Sequence, residues 1–363
     1  MAELKKGMHP GATWKKVDFQ IHTPRDPQWQ GSPHIAGGTP EKEDARMQWA
    51  KGFVGECIER GLDAIAITDH HDFCFVEYVQ RAIDQLPPEQ PHPWIFPGVE
   101  VTCRDSVQCL VLFDCGTAEL QWMRIFGGHL QNIGVPDRNL PTNPQATQCG
   151  QDIDDFILSV TKDSQLNSCS IILPHASNTG AHKSMIRNGF APRFKELPFD
   201  GVYCDKSFQQ LDDVTKRKIY GEILEWGLRR RGIIPTGDNR RQTFQDLGTN
   251  DCWIRLGEPT AESIRQAVLA DEARIAYEHP SLPVQRIVRL MVKSTLTGDD
   301  FHLIFNDGFT ALIGGRGAGK SAVLEYLRFG LGRSATDTNT SEGTARERDL
   351  SLKRLNLEAS LLS

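Results

Sequence analysis

At 363 residues the chain is long enough for about two domains, each able to bury its own core. Hydrophobic residues make up 39% and charged residues 24%, the balance of a soluble globular protein rather than a disordered or membrane-embedded one. A net charge of −6 excludes a generally basic surface, so any contact with nucleic acid has to come from local basic clusters.

Nine cysteines lie singly between Cys57 and Cys252 with no CxxC pair, which argues against a disulfide framework or a zinc ribbon and points to reducing cytosol. The opening MAELKKGMHPGATW has no apolar signal segment, and no run approaches the roughly 18 apolar residues of a membrane span. The expectation is a cytoplasmic chain with no membrane partner.

In chain order, short β-rich runs predict strands at 17–22, 63–68, 95–102, 110–113, 170–174, 201–203 and 232–235. Amphipathic stretches between them predict helices at 43–60, 76–86, 153–161 and 213–230, and a Pro-Thr cap opens a last helix at 261–270. This alternation is the rhythm of a parallel βα sheet or barrel. EHPSLPVQ, with prolines at 280 and 283, reads as a linker, giving one domain over 1–278, a linker over 279–285 and a second domain over 286–363. There the β-rich runs IVRLMVKS and FHLIF are followed by a third, FTALIGG, that enters a glycine loop. SATDTNTSEGTARERD, at 334–349, reads as a mobile loop.

Several predicted strands end on residues able to hold a metal. VDFQIHTPRD closes on His22; AIAITDHHD places Asp69, His70, His71 and Asp72 past a strand; FPGVEV carries Glu100; IILPHAS ends on His175; IIPTGDN ends on Asp238. The C-terminal strand ends of an α/β barrel converge on one mouth, and imidazole with carboxylate donors suits Zn²⁺, Mn²⁺ or Fe²⁺. Taken singly each residue has an ordinary structural reading; their recurrence at strand ends is what points to a site.

Residues 314–321, GGRGAGKS, satisfy G-x-x-x-x-G-K-[ST]. In a phosphate loop Gly314, Gly317 and Gly319 let backbone N–H groups wrap the phosphates, Lys320 reaches the β/γ-phosphates and the Ser321 hydroxyl ligates Mg²⁺, so ATP and Mg²⁺ are the expected cofactors. The helix-like SAVLEYLRFGLG that follows adds its N-terminal dipole. Over about 287–333 the sequence resembles the opening of the SMC, Rad50 and RecF branch of ABC-type ATPases. Too little sequence follows Ser321 to place a Walker B run or a signature motif, so ATP hydrolysis is not assigned to this chain alone.

The first domain resembles the PHP (polymerase and histidinol phosphatase) superfamily of distorted βα barrels, which hydrolyse phosphoesters with two or three metal ions. The opening D-x-H-x-H-T matches Asp18 to Thr23, I-T-D-H matches Ile67 to His70, P-G-x-E matches Pro97 to Glu100, and S-D-x-H matches Gly237 to Arg240. The resemblance implies His22, His70, Glu100, His175 and Asp238 as metal ligands, with Asp69 a ligand neighbour, and a catalytic set of His22, Asp69, His70, Asp238 and Arg240.

Two positions depart from the pattern: Gln20 stands where a first histidine is usual and Arg240 where the last one is. An amide is a poorer donor than imidazole and a guanidinium repels a cation, so an altered metal centre is expected. Arg240 then reads as a fork for phosphate, with Arg25, Arg241 and Arg229–Arg231 as further phosphate contacts, although for Arg229–Arg231 a solvated helix end before Gly232 is the ordinary reading. Asp26 and His34 are further candidate ligands. Trp14 and Trp29 could stack on a base or pack in the core.

These features point to a metal-dependent phosphoesterase, a nuclease on DNA or RNA, coupled to an SMC-like ATP-binding domain that leaves room for a homo-oligomer or partner subunit. Genome maintenance or antiviral defence would suit that architecture. Two alternatives stay open: a degenerate, non-catalytic barrel that regulates the ATPase, and a small-molecule phosphatase.

Overall fold

The architecture comes from a computed structural model that describes residues 11–31, 35, 40–115, 120–135, 148–178, 182–292, 301–331 and 357–358. His34 and the predicted loop at 334–349 lie outside the described residues. The chain divides into two compact units, Trp14–Pro280 and a second made of Met1–Thr13 with Ser281–Ser363.

In chain order the first unit runs β1 (Thr13–Ile21), α1 (Pro40–Glu59), β2 (Ala64–Ile67), α2 (Cys74–Asp84), β3 (Trp94–Thr102) and β4 (Gln108–Phe113). It continues with α3 (Leu120–Asn132), α4 (Ile153–Lys162), α5 (Ser164–Cys169), β5 (Ser170–Pro174), α6 (Ala191–Glu196), β6 (Gly201–Cys204) and α7 (Asp213–Ile219). It closes with β7 (Gly232–Pro235), β8 (Trp253–Leu256), α8 (Ala261–Leu269), α9 (Asp271–Arg274) and β9 (Ile275–Ala276). Every residue of β2, AIAI, is buried, as befits a strand covered on both faces. The Thr260 hydroxyl accepts from the Ser263 N–H and starts α8 at its predicted place.

One seven-stranded sheet has the order β5-β4-β3-β2-β1-β8-β9, and β6 and β7 form a separate parallel pair. Single bridges connect the two: His175 to Tyr203 links the end of β5 to β6, and Ile21 to Asn239 links the segment after β7 back to β1. The strands β1 to β7 therefore curl into a ring. Its interior is one buried cluster that includes Phe19, Ala66, Phe96, Leu110, Leu173, Tyr203 and Ile234, packed on Ile264, Ala267 and Val268 of α8.

Two expectations are corrected. The sheet is not all parallel, because β4 runs antiparallel to both β3 and β5. The turn after β3, tied by the Cys103 N–H donating to the Val107 carbonyl, is too short for a crossover and makes a hairpin. Helix 213–230 stops at Ile219, since Gly221 takes a left-handed φ of 73° and a Cβ there would lie 2.7 Å from the Leu228 carbonyl.

In the second unit β10 (Arg289–Val292), β11 (Phe301–Ile304) and β12 (Leu357–Glu358) form an antiparallel sheet in the order β11-β10-β12. The glycine loop leads into α10 (Lys320–Gly330), with Gly317 and Gly319 at φ of 85° and 83°. FTALI, expected as a strand before the loop, is not one: Phe309 is 82% and Ile313 95% exposed, and no strand among the described residues pairs with it. A β-like run without a neighbour to share its backbone hydrogen bonds does not stay a strand. The Lys320 ammonium donates to the carbonyls of Gly314 (2.6 Å) and Gly315 (2.9 Å).

Candidate metal centre

The ring gathers its chemistry at one end. Gln20 lies at the end of β1 and His22 just past it, Asp69 and His70 follow β2, and Glu100 lies late in β3. Gln108 starts the reversed strand β4, His175 follows β5, Asp205 follows β6, and Asp238 and Arg240 follow β7. A parallel bridge pairs His70 with Glu100, and the His22 N–H donates to the Asn239 carbonyl at 2.9 Å. Backbone pairing thus sets the spacing of the side chains.

Asp26 organises the imidazoles. Its Oδ2 lies 2.9 Å from Nδ1 of both His22 and His70 and accepts the His70 backbone N–H at 2.7 Å. The two rings stack with centroids 5.0 Å apart. With Nδ1 of each donating to one carboxylate, Nε2 of each faces Glu100, at 3.2 Å for His22 and 3.5 Å for His70. His22 Nε2 also lies 3.1 Å from Asp238 Oδ1.

Burial alone would push the Glu100 carboxyl up, but the charges of His70, His22 and Arg240 hold it well below the usual carboxylate range. Burial and the nearby Arg240 oppose a second proton on His22, yet Asp26 and Asp238 outweigh them and raise its pKa well above that of free imidazole. Burial also opposes ionisation of Asp26, while His22 and His70 hold its pKa well below the ordinary value. The spot between His22, Glu100 and Asp238 thus attracts positive charge, taken by a proton or by a metal ion.

The donors fit a divalent ion. His22 Nε2 is fully buried and has no hydrogen-bond partner, while two carboxylate oxygens stand at 3.1 and 3.2 Å from it. Neighbouring ligands of an ion with bonds of about 2.1 Å sit about 3 Å apart. His22, Asp26 and His70 also present ligand atoms within 4.8 Å of one another, although Asp26 is engaged in orienting both rings.

The other predicted site residues are distributed differently. Asp69 accepts from the Thr23 N–H (2.7 Å) and hydroxyl (2.6 Å), so it holds the chain that carries His22 rather than facing the donors. His175 faces Asp205 at 3.3 Å, with both its ring nitrogens buried and lacking a hydrogen bond. Gln20 donates to Glu100 Oε2 at 3.3 Å and accepts from Thr236 Oγ1 at 2.7 Å. Arg240 is 8% exposed; its Nε lies 2.8 Å from Asp238 Oδ1, its Nη2 3.7 Å from Glu100 Oε2, and its Nη1 donates to Gln28.

Of the arginines expected to grip phosphate, only Arg240 and Arg241 line the cleft beside the centre. Arg25 is 2% exposed and paired with Asp72 at 2.8 Å. Arg229 is bound to Asp200, Arg230 to Asp271 at 2.7 and 2.8 Å, and Arg231 is buried against Phe194 and Phe199, so these three are neither a phosphate patch nor a solvated helix end. Trp29 is 5% exposed and packs on Trp49, which rules out base stacking, and Trp14 carries the guanidinium of Arg255 at 4.7 Å.

Sequence reasoning missed Gln28, Gln108, Tyr203, Lys183 and Asp205. Gln108 Nε2 lies 3.1 Å and Gln28 Nε2 3.4 Å from His70 Nε2, and the Tyr203 hydroxyl donates to Glu100 Oε1 at 2.8 Å. Asp205 carries the same signal as the others, a carboxylate just past a strand. The cleft over the centre, of about 360 Å³, is lined by Gln28, Lys183, Asp205, Asp238, Arg240 and Arg241 among others. Its volume is that of a small-ligand site, and its charges are of both signs.

Fold and site together define an α/β protein with a curled sheet and a buried imidazole–carboxylate centre at the strand ends. No family model and no curated protein matches the chain. Among solved structures it is similar to the lesion-specific endonuclease PfuEndoQ from Pyrococcus furiosus, at 12% identity over 94% of this chain and 83% of that one, with a TM-score of 0.48. An Endonuclease Q complex with a 27-mer duplex bearing an abasic lesion gives 12% identity, 95% and 85% coverage and a TM-score of 0.47. A two-domain Bacteroides vulgatus protein containing a predicted PHP-like metal-dependent phosphoesterase gives 15%, 82%, 85% and 0.41. Likeness at this level carries no site residue across; the chemistry of this chain rests on its own donors.

Proposed function

We propose that the first unit is a metal-dependent phosphoesterase that cleaves nucleic acid. The observation that carries this reading is His22 Nε2, buried and without a hydrogen bond, between Glu100 Oε2 and Asp238 Oδ1 beneath a cleft lined by Lys183, Arg240 and Arg241. A divalent ion held by His22, Glu100 and Asp238 would supply a water acidic enough to ionise near neutrality. Asp26 keeps both imidazoles in the Nδ1–H form, Tyr203 and Gln20 fix Glu100, and Lys183, Arg240 and Arg241 would receive phosphoryl oxygens. His70, beside His22 and capped by Gln108, is the group placed to move a proton at Nε2.

The test is cleavage of single-stranded and duplex oligonucleotides by the full chain with Mn²⁺ or Zn²⁺, compared with His22→Ala and Asp238→Ala. Loss of at least a hundredfold in rate in both variants is expected; full cleavage by either sinks the reading. A chromogenic phosphate monoester turned over faster than either oligonucleotide would favour a small-molecule phosphatase. The contact of Arg240 with Asp238 and Glu100 favours one other reading, a barrel that binds without chemistry, which predicts no cleavage with any metal.

For the second unit the reading is ATP binding at GGRGAGKS, coupled to the first unit in the manner of SMC-like fusions. Its support is the glycine loop running into α10 with Lys320 and Ser321 at the helix start.

A further inference from the structure

Arg240 shares both of the carboxylate oxygens that face His22 Nε2: its Nε lies 2.8 Å from Asp238 Oδ1 and its Nη2 3.7 Å from Glu100 Oε2. We propose that Arg240 is a built-in second cation of this centre, so that the barrel holds a single metal ion, on His22, Glu100 and Asp238. The inference rests on the metal-dependent reading above and specifies how many ions that site takes.

Three further features carry it. Glu100 is already engaged at Oε1, which accepts the buried Tyr203 hydroxyl at 2.8 Å, so a second ion on that oxygen would compete with this bond inside the core. His70 Nε2 is approached by two amide nitrogens, those of Gln108 at 3.1 Å and Gln28 at 3.4 Å. The amide of Gln28 cannot be turned over to present its oxygen, since that oxygen accepts from Arg240 Nη1; Gln20 is fixed likewise, its oxygen accepting from Thr236 at 2.7 Å while its nitrogen faces Glu100. The network around the centre therefore points N–H groups at positions where a second ion would need lone pairs.

Electrostatics agrees. Arg240 is almost fully buried, and a guanidinium cannot shed its charge as an imidazole or an amine does. A second dication in contact with the same carboxylates would face that fixed charge at short range in a medium far less polarisable than water. The pair His175 and Asp205, 3.3 Å apart, is another place a second ion could go, and it offers one imidazole and one carboxylate.

The test is metal stoichiometry and affinity of the full chain, stripped of metal and titrated with Mn²⁺ without nucleotide, followed by calorimetry and elemental analysis. Expected are one ion per chain, its loss in His22→Ala, at least tenfold tighter Mn²⁺ binding in Arg240→Gln, and wild-type affinity in Arg240→Lys. Arg240→His, which exchanges the fixed charge for a donor nitrogen, should take up a second equivalent, and it decides the matter if the Gln variant does not fold. Two ions in the wild type, none at all, or unchanged or weaker binding in Arg240→Gln would overturn the proposal; a second ion lost in His175→Ala would place it on Asp205 instead. One bound ion without cleavage of any phosphoester would sink the enzymatic reading and leave Arg240 in this role.

Discussion

Asp18 shows how a single buried carboxylate ties the site to pH. Its oxygens accept the N–H groups of Gln20, Gly237 and Gly248, at 3.3, 3.0 and 2.8 Å, so it clasps the chain before His22 to the chain before Asp238. Burial, opposed by those three N–H groups and reinforced by the charge of Asp238, raises its pKa from 3.8 to about 6. The folded state then keeps a proton that the unfolded chain releases near pH 4, so stability falls as pH rises from about 4 to about 6 and the cost, up to about 3 kcal/mol, is fully present above that window. Urea unfolding across pH 4 to 7 should show this fall in the wild type and a flatter profile in Asp18→Asn. Parallel profiles would mean that another group carries the dependence.

At the scale of elements, strand ends were legible because apolar β-branched runs stop on polar residues, and the order of those ends places His22, His70, Glu100 and Asp238 together. What the sequence could not show is the partner each side chain takes. Asp26 is only a further candidate ligand in the sequence because its position after Thr-Pro-Arg carries no strand signal, yet the tight turn after β1 brings it under both imidazoles. Arg25 looked available for phosphate because nothing in the sequence marks Asp72 as its partner. Helix 213–230 was overlong because its interior glycines look tolerable in a pattern and become stops only in three dimensions. The turn after β7 is the element most exposed to small changes: a Cβ on Gly237 would stand 2.1 Å from the Asp246 carbonyl and 2.5 Å from Asp18 Oδ2. Gly237→Ala should cost about 1–3 kcal/mol in thermal unfolding and weaken metal binding by moving Asp238, which already sits at a left-handed φ of 49°. Unchanged metal affinity in that variant would show the turn to be adaptable.

At the scale of the whole molecule, the two units differ in how far their sequences define them. The first unit's core closes on itself, with inward residues from successive strands meeting α8. In the second unit the described core is small, centred on Leu290, Val292 and Tyr326, which is why a strong loop motif was easier to read than the sheet around it. No helix among the described residues is long and apolar enough to cross a membrane.

The ring also sets an order of events during folding. Gln20 meets Thr236 across 216 positions of sequence and Arg240 meets Gln28 across 212, so these contacts of the centre wait for very long loops to close. His22 and Asp26 are near neighbours in the chain, but Asp238 reaches them only on closure. An ion added to the unfolded chain would therefore do little for the rate of folding, while an ion bound to the finished ring should slow its opening. Stopped-flow refolding and unfolding with and without Mn²⁺ would separate the two arms; a folding arm that speeds up in step with metal concentration would mean that the donors assemble before the ring does.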